Sequence, residues 1–98
     1  LPGLLKTMDI VLKKYGTMTL KDVASPAIRC ARNGFGTSYT GALTMYDNSV
    51  ERKMRLSEAF RKLYLKEDGS FYRFGEIQKN QEIADLLENI AEQGVDYF

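Results

Sequence analysis

Apolar residues recur at intervals of three and four from Leu4 to Tyr15, where Leu4, Leu5, Met8, Val11, Leu12 and Tyr15 are set off by Lys6, Asp9, Lys13 and Lys14. That spacing predicts an amphipathic helix over 4–15. Lys13 and Lys14 fall in its last turn, where cations favour the helix dipole, and Gly16 supplies the stop. Thr19 is placed to cap a following helix, with Asp22 three residues on as a variant capping box. Ser25-Pro26 then interrupts the pattern. Proline is tolerated in a first helical turn because its missing N–H would be unpaired there. The chain therefore reads as a short turn over 19–24, then a second helix capped by Ser25 and led by Pro26. In that helix Ala27, Ile28 and Ala31 are expected to face inward, with Arg29 and Arg32 outward, and Asn33-Gly34 to close it.

From Ser38 to about Met54 the periodicity weakens. Tyr39, Leu43, Tyr46 and Val50 keep helical spacing, while Gly41 and the stretch Asp47-Asn48-Ser49 lower the propensity. Ser57 and Glu58 open another helical turn carrying Ala59, Phe60, Leu63 and Tyr64. Asp68-Gly69 lies between aromatic residues and predicts a small extended turn or hairpin near 66–77, with a second bend at Gly75. Asn80 is placed to cap a last helix, in which Ile83, Leu86, Leu87, Ile90 and Ala91 form one apolar stripe and Gly94 ends it. The fold class that follows is mainly α: four to five short helices with one small extended element, and no internal repeat or linker.

The 98 residues are 44% hydrophobic and 28% charged, the balance of an ordinary globular sequence that forms one small domain or part of a larger one. A net charge of +1 gives no electrostatic case for nucleic acid or acidic lipid as a partner. The most basic run, Glu51-Arg52-Lys53-Met54-Arg55 with Arg61 and Lys62, is diluted by Glu51 and Glu58 and reads as a solvated face. No apolar run approaches the length that spans a membrane.

Histidine is absent and Cys30 is the single cysteine. Ser-His-Asp and Cys-His nucleophile arrangements, intrachain disulfides and His- or Cys-rich metal sites are thereby excluded. Cys30, among Ala27, Ile28 and Ala31, reads as a small buried hydrophobe. The glycines and hydroxyls of 34–38 lack the lysine and spacing of a phosphate loop and read as a helix connection. Asp85, Glu88 and Glu92 lie opposite the apolar stripe of the last helix, on its solvated face, and the tyrosines at 15, 39, 46, 64, 72 and 97 read as core and rim residues. The residues thus nominate no catalytic, substrate-binding or metal site.

The ordered set "LPG", "KKYGTMTLKDVASPAIRCARNGF", "DG", "G" and "IADLLENIAEQGVDYF" resembles the large-subunit region of gamma-glutamyltranspeptidases. Its matching positions are Pro2, Gly3, Tyr15, Gly16, Pro26, Ala27, Ala31, Arg32, Gly34, Phe35, Gly69, Gly75, Ala84, Leu87, Ile90, Ala91, Gly94 and Phe98. The match covers nearly the whole chain and is poorest over 36–56. Thr7 stands where the family usually has a second glycine, and the family continues past the final Phe, so a fragment of a longer chain is expected.

The resemblance implies a helical portion of a larger N-terminal-nucleophile hydrolase fold, with residues 1–98 as a single segment of the large subunit. It implies an autoprocessed, cofactor-free enzyme that transfers or hydrolyses the gamma-glutamyl group of glutathione-like substrates. The nucleophile is a threonine whose own amino group acts as base, and it lies outside these residues. The family's substrate arginine lies upstream of the Pro-Gly, so Arg29 and Arg32 read as surface or structural. The implied partners are the rest of the large subunit and the small subunit. Apolar faces such as that of Leu86, Leu87 and Ile90 are expected to pack on the enzyme core and, in an isolated piece, to promote self-association. Family members are often exported, and compartment is left open. The alternative is a free-standing helical interaction module without enzymatic activity.

Overall fold

The computed structural model describes residues 3–46, 52, 53 and 55–98, so Pro2, Asp47-Asn48-Ser49, Val50, Glu51 and Met54 lie outside the described residues. The chain divides into two compact units, Leu1–Asn33 with Gln81–Phe98, and Gly34–Asn80.

Three helices and a short turn build the first unit: α1 (Leu4–Tyr15), α2 (Leu20–Asn33), α5 (Gln81–Gln93) and a 3-10 turn over Val95–Tyr97. Helix α1 has the predicted ends. Its C-terminal amide, Gly16 N–H, donates to Leu12 O at 2.8 Å, and a Cβ at Gly16 would run into that same carbonyl. The face it buries differs from the expected one. Only Leu5 and Leu12 of the apolar set are half-buried, Asp9 is buried, and Leu4, Met8, Val11 and Tyr15 are exposed. Periodicity marks an apolar arc, and only one edge of this arc is covered.

Helix α2 corrects the reading of Ser25-Pro26. The capping box forms as expected: Asp22 N–H donates to Thr19 Oγ1 at 3.1 Å, and Asp22 Oδ2 accepts from Thr19 N–H at 3.1 Å and from its hydroxyl at 2.7 Å. The helix then runs unbroken to Asn33 with Pro26 inside it. Ser25 is no cap, and its hydroxyl accepts from Arg29 Nη1 at 3.2 Å. An interior proline costs a helix about 3 kcal/mol. Short helices draw most of their stability from packing, and α2 packs along α5.

That interface uses small residues. Ala31 is 7% exposed, Ala84 0% and Ile90 3%, while Ile28, Leu86, Leu87 and Ala91 are half-buried. Ala27, Cys30 and Ile83 are exposed, contrary to their expected inward placement. Ala84, one step along from Ile83, is the residue α5 buries most deeply. Gly94 ends α5 at φ 87°, with its N–H on Ile90 O at 2.9 Å.

The second unit holds β1 (Phe35–Gly36), α3 (Tyr39–Met45), α4 (Glu58–Tyr64) and β2 (Ile77–Gln78). The strands pair antiparallel, Phe35 opposite Gln78 and Gly36 opposite Ile77. Ser38 and Ser57 cap α3 and α4, accepting from Gly41 N–H at 3.0 Å and Phe60 N–H at 3.4 Å. The Asp68-Gly69 turn closes as expected, with Leu65 bridged to Phe71 and Lys66 N–H on Ser70 O at 2.9 Å. Among the described residues the buried apolar ones here are Ala42 and Phe71; Tyr39 and Leu43 of α3, Tyr46 just after it, and Phe60 and Leu63 of α4 are exposed. Among the described residues no helix is long and apolar enough to cross a membrane.

Candidate functional site

Arg32, near the end of α2, reaches across to α5. Its Nη2 lies 2.8 Å from Asp85 Oδ1 and 2.8 Å from Glu88 Oε2, and its Nη1 donates to Gln81 Oε1 at 3.0 Å. Gln81 Nε2 returns a hydrogen bond to Arg32 O at 3.0 Å. Residues 81, 85 and 88 recur at four and three along α5, so one helix face presents three acceptors to one planar fork. Hydrogen bonds to Asp85 and then Glu88 hold the guanidinium above its ordinary pKa. The two carboxylates are therefore bound to α2 rather than simply solvated. Through these contacts Arg32 ties α2 to α5.

Beside that clamp runs an open groove of about 280 Å³, lined by Lys21, Ser25, Ile28 and Arg29 of α2 and by Glu88, Ala91 and Glu92 of α5. Its walls carry opposite charges. The Ser25 hydroxyl accepts from the Arg29 guanidinium, a donor that cannot serve as a base.

Asp9 is the carboxylate the sequence did not mark as buried. Its side chain is 10% exposed and accepts from Lys13 Nζ at 2.8 Å, one turn on. The bond to Asp9 raises the Lys13 pKa. The i,i+4 spacing of Asp9 and Lys13 was the available signal. It also fits a surface pair, which is why it does not by itself reveal burial. A second open groove, about 320 Å³, is lined by Asp9, Leu12, Lys13, Met18, Thr19 and Leu20.

In the second unit the hydroxyls of 37 and 38 are taken up by the backbone. Thr37 is buried, and both its N–H and its hydroxyl donate to Glu76 O, at 2.9 and 2.8 Å. Gln78 Nε2 donates to Thr37 Oγ1 at 2.7 Å, and Gly75 N–H to Thr37 O at 2.9 Å. The Glu76 carboxylate pairs with Lys66 and accepts from Arg73 N–H at 2.9 Å; these two bonds, the lysine first, hold it below its usual pKa. The glycine-rich stretch is thus half of a strand pair rather than a plain connection. Of the basic run, Arg55 lies over the Phe71 ring at 5.5 Å, and Arg61 Nη1 donates to Arg55 O at 2.7 Å.

Across both units the charged groups placed by these contacts are spent on neighbouring helices and turns. Among the described residues no group of three or more His, Cys, Asp or Glu could hold a metal ion.

The sequence model of one family, gamma-glutamyltranspeptidase, matches residues 1–98. The glutathione hydrolase proenzyme of Escherichia coli strain K12 is 34% identical over 99 residues, covering 99% of this chain and 16% of that protein. The glutathione hydrolase proenzyme of Arthroderma benhamiae is 29% identical over 97 residues, covering 99% of this chain and 17% of that protein. The crystal structure of Helicobacter pylori gamma-glutamyltranspeptidase superposes with a TM-score of 0.87 at 29% identity, covering 96% of this chain and 26% of that one. The chain therefore spans about a sixth of the length of the curated relatives it matches.

Proposed function

The chain belongs to the gamma-glutamyltranspeptidase family, and on that premise we propose that it is a non-catalytic structural segment of an enzyme that transfers or hydrolyses the gamma-glutamyl group of glutathione-like compounds. The observation that carries the reading is the family match along all of residues 1–98, in a chain whose best-placed charged groups serve its own helices and turns. A pair of helices clamped through Arg32 and a turn-rich unit knotted at Thr37 and Glu76 suit a scaffold. The catalytic threonine, its amino-group base and the donors that stabilise the tetrahedral intermediate are assigned to the rest of the enzyme. Residues 1–98 act as one segment of the large subunit, and their partners are the remainder of that subunit and the small subunit.

The test is an assay of the longest polypeptide that the gene encodes, using a gamma-glutamyl anilide as donor with and without a dipeptide acceptor. Turnover with a trapped glutamyl ester on a threonine outside residues 1–98 is expected. A polypeptide that folds and shows no turnover on any gamma-glutamyl amide contradicts the reading and favours the interaction module.

A further inference from the structure

The dipeptide Asn33-Gly34, where α2 ends, lacks the restraints that hold comparable positions elsewhere in the chain. Asparagine stands at 33, 48, 80 and 89, and only Asn33 is followed by glycine. Asn33 is the last residue of α2 and is exposed, and among the described residues its carboxamide has no hydrogen-bond partner. The amides that close α1, α4 and α5 donate to carbonyls four residues back, at 2.8, 3.0 and 2.9 Å, whereas Gly34 N–H shows no bond of that geometry. Gly34 sits at φ 109° and has no Cβ to screen its nitrogen.

Two other positions show what restraint looks like. Asp68-Gly69 is the same pairing with a carboxylate in place of the amide. There Gly69 N–H donates to Lys66 O at 2.9 Å, and Asp68 Oδ1 accepts from Ser70 N–H at 2.9 Å and from the Ser70 hydroxyl at 2.6 Å. Asn89 Nδ2 donates to Asp85 O at 2.9 Å, and Asn89 Oδ1 accepts from Gln93 Nε2 at 3.1 Å. Each of these side chains is fixed away from the next main-chain nitrogen.

We propose that Asn33 is a site of spontaneous modification, at which a neutral carboxamide becomes a carboxylate at the end of α2. The reaction needs two adjacent residues and water. The Gly34 main-chain nitrogen attacks Cγ of Asn33 while its N–H proton passes to a solvent base. The new C–N bond closes a five-membered imide, the Cγ–Nδ2 bond breaks, and the leaving nitrogen takes a proton from solvent and departs as ammonia. Water then adds to either carbonyl of the imide and reopens it, leaving aspartate or isoaspartate at position 33. Nothing is oxidised or reduced. Either product sets a negative charge at the C-terminal end of a helix, where the dipole opposes it, and isoaspartate also lengthens the main chain ahead of β1.

The longest polypeptide that the gene encodes is incubated folded in mildly alkaline buffer made with heavy-oxygen water. It is then digested under acid in ordinary water and its peptides are followed by mass spectrometry, so that only conversion during the incubation carries the label. Asn33 is expected to convert at least about tenfold faster than Asn80 and Asn89, gaining one labelled oxygen and giving both aspartate and isoaspartate. A rate advantage below about tenfold means that the helix end keeps Cγ from the Gly34 nitrogen, and it overturns the inference. Conversion to aspartate alone means direct hydrolysis without the Gly34 nitrogen, and overturns it as well.

Discussion

The α2–α5 pair and the unit from Gly34 to Asn80 reach order by different means. Between the two helices, surface is removed from water by close approach: Ala31 and Ala84 let the backbones near each other, and Ile90 fills the remaining space. Charge joins the two helices through Arg32 on Asp85 and Glu88. Among the described residues the other unit has one large buried side chain, Phe71, with Tyr46 against it edge-on at 6.3 Å and Arg55 above it. Its order comes from turn geometry and from backbone bonds to Thr37 and Glu76. The first design tolerates an irregularity such as Pro26, because the interface is distributed over many side chains. The second depends on a few positions.

That contrast is broken most severely at its two anchors. Phe71→Ala is expected to cost about 3–5 kcal/mol and Ile90→Ala about 2–5 kcal/mol, read from urea midpoints. Amide exchange separates them. Phe71→Ala should first expose the N–H groups of Lys66, Thr37 and Gly75, and Ile90→Ala those of α2 and α5. Equal effects on both sets of amides would show that the two regions do not differ in the way argued.

Gly34→Ala comes next. Gly34 sits at φ 109°, where a Cβ would also collide with the Ile77 side chain, so the substitution should cost about 1–3 kcal/mol and loosen the β1–β2 pair. Gly36→Ala, with open space for its Cβ and no positive φ, is the matched control and should cost less.

A smaller effect comes from acid. Bonds from Lys66 and Arg73 N–H to Glu76, from the Ser70 hydroxyl and N–H to Asp68, and from the Thr19 hydroxyl and N–H to Asp22 hold these carboxyls below their usual values. Groups lowered in the folded state contribute stability above the ordinary carboxylate range, near 4, and that contribution is lost as pH falls through the folded values. Stability should therefore decline from about pH 4 downward, and Glu76→Gln should flatten the decline. An unchanged slope in Glu76→Gln would mean that the Lys66 pair is idle.

Much of the fold was legible because its signals are local. The ends of α1, the Thr19–Asp22 box, the bends at Gly34, Gly69 and Gly75 and the stop at Gly94 each follow from a few adjacent residues. The faces were not. Periodicity located the apolar arc of α1 but could not say that Leu5, Asp9 and Leu12 are its covered edge, since coverage depends on what lies beside the helix. The same limit put Ala27, Cys30 and Ile83 inward. Pro26 marks a boundary by local propensity alone, and packing along α5 overrides it. The β1–β2 pair was invisible for another reason: two residues per strand carry no alternation, and the partners lie about 40 residues apart. The Arg32 clamp was half visible, with the acceptors at 81, 85 and 88 in helical register but nothing local to name their donor.

The central claim is that these residues support the enzyme without taking part in its chemistry, and Arg32 is where it is most exposed to test. The measurement is kcat and KM for a gamma-glutamyl anilide, alongside Tm, on the full polypeptide carrying Arg32→Ala. A clamp predicts a lowered Tm with kcat and KM per folded molecule unchanged at a temperature well below the transition. A raised KM or lowered kcat with Tm unaltered would place Arg32 on the substrate and contradict the account.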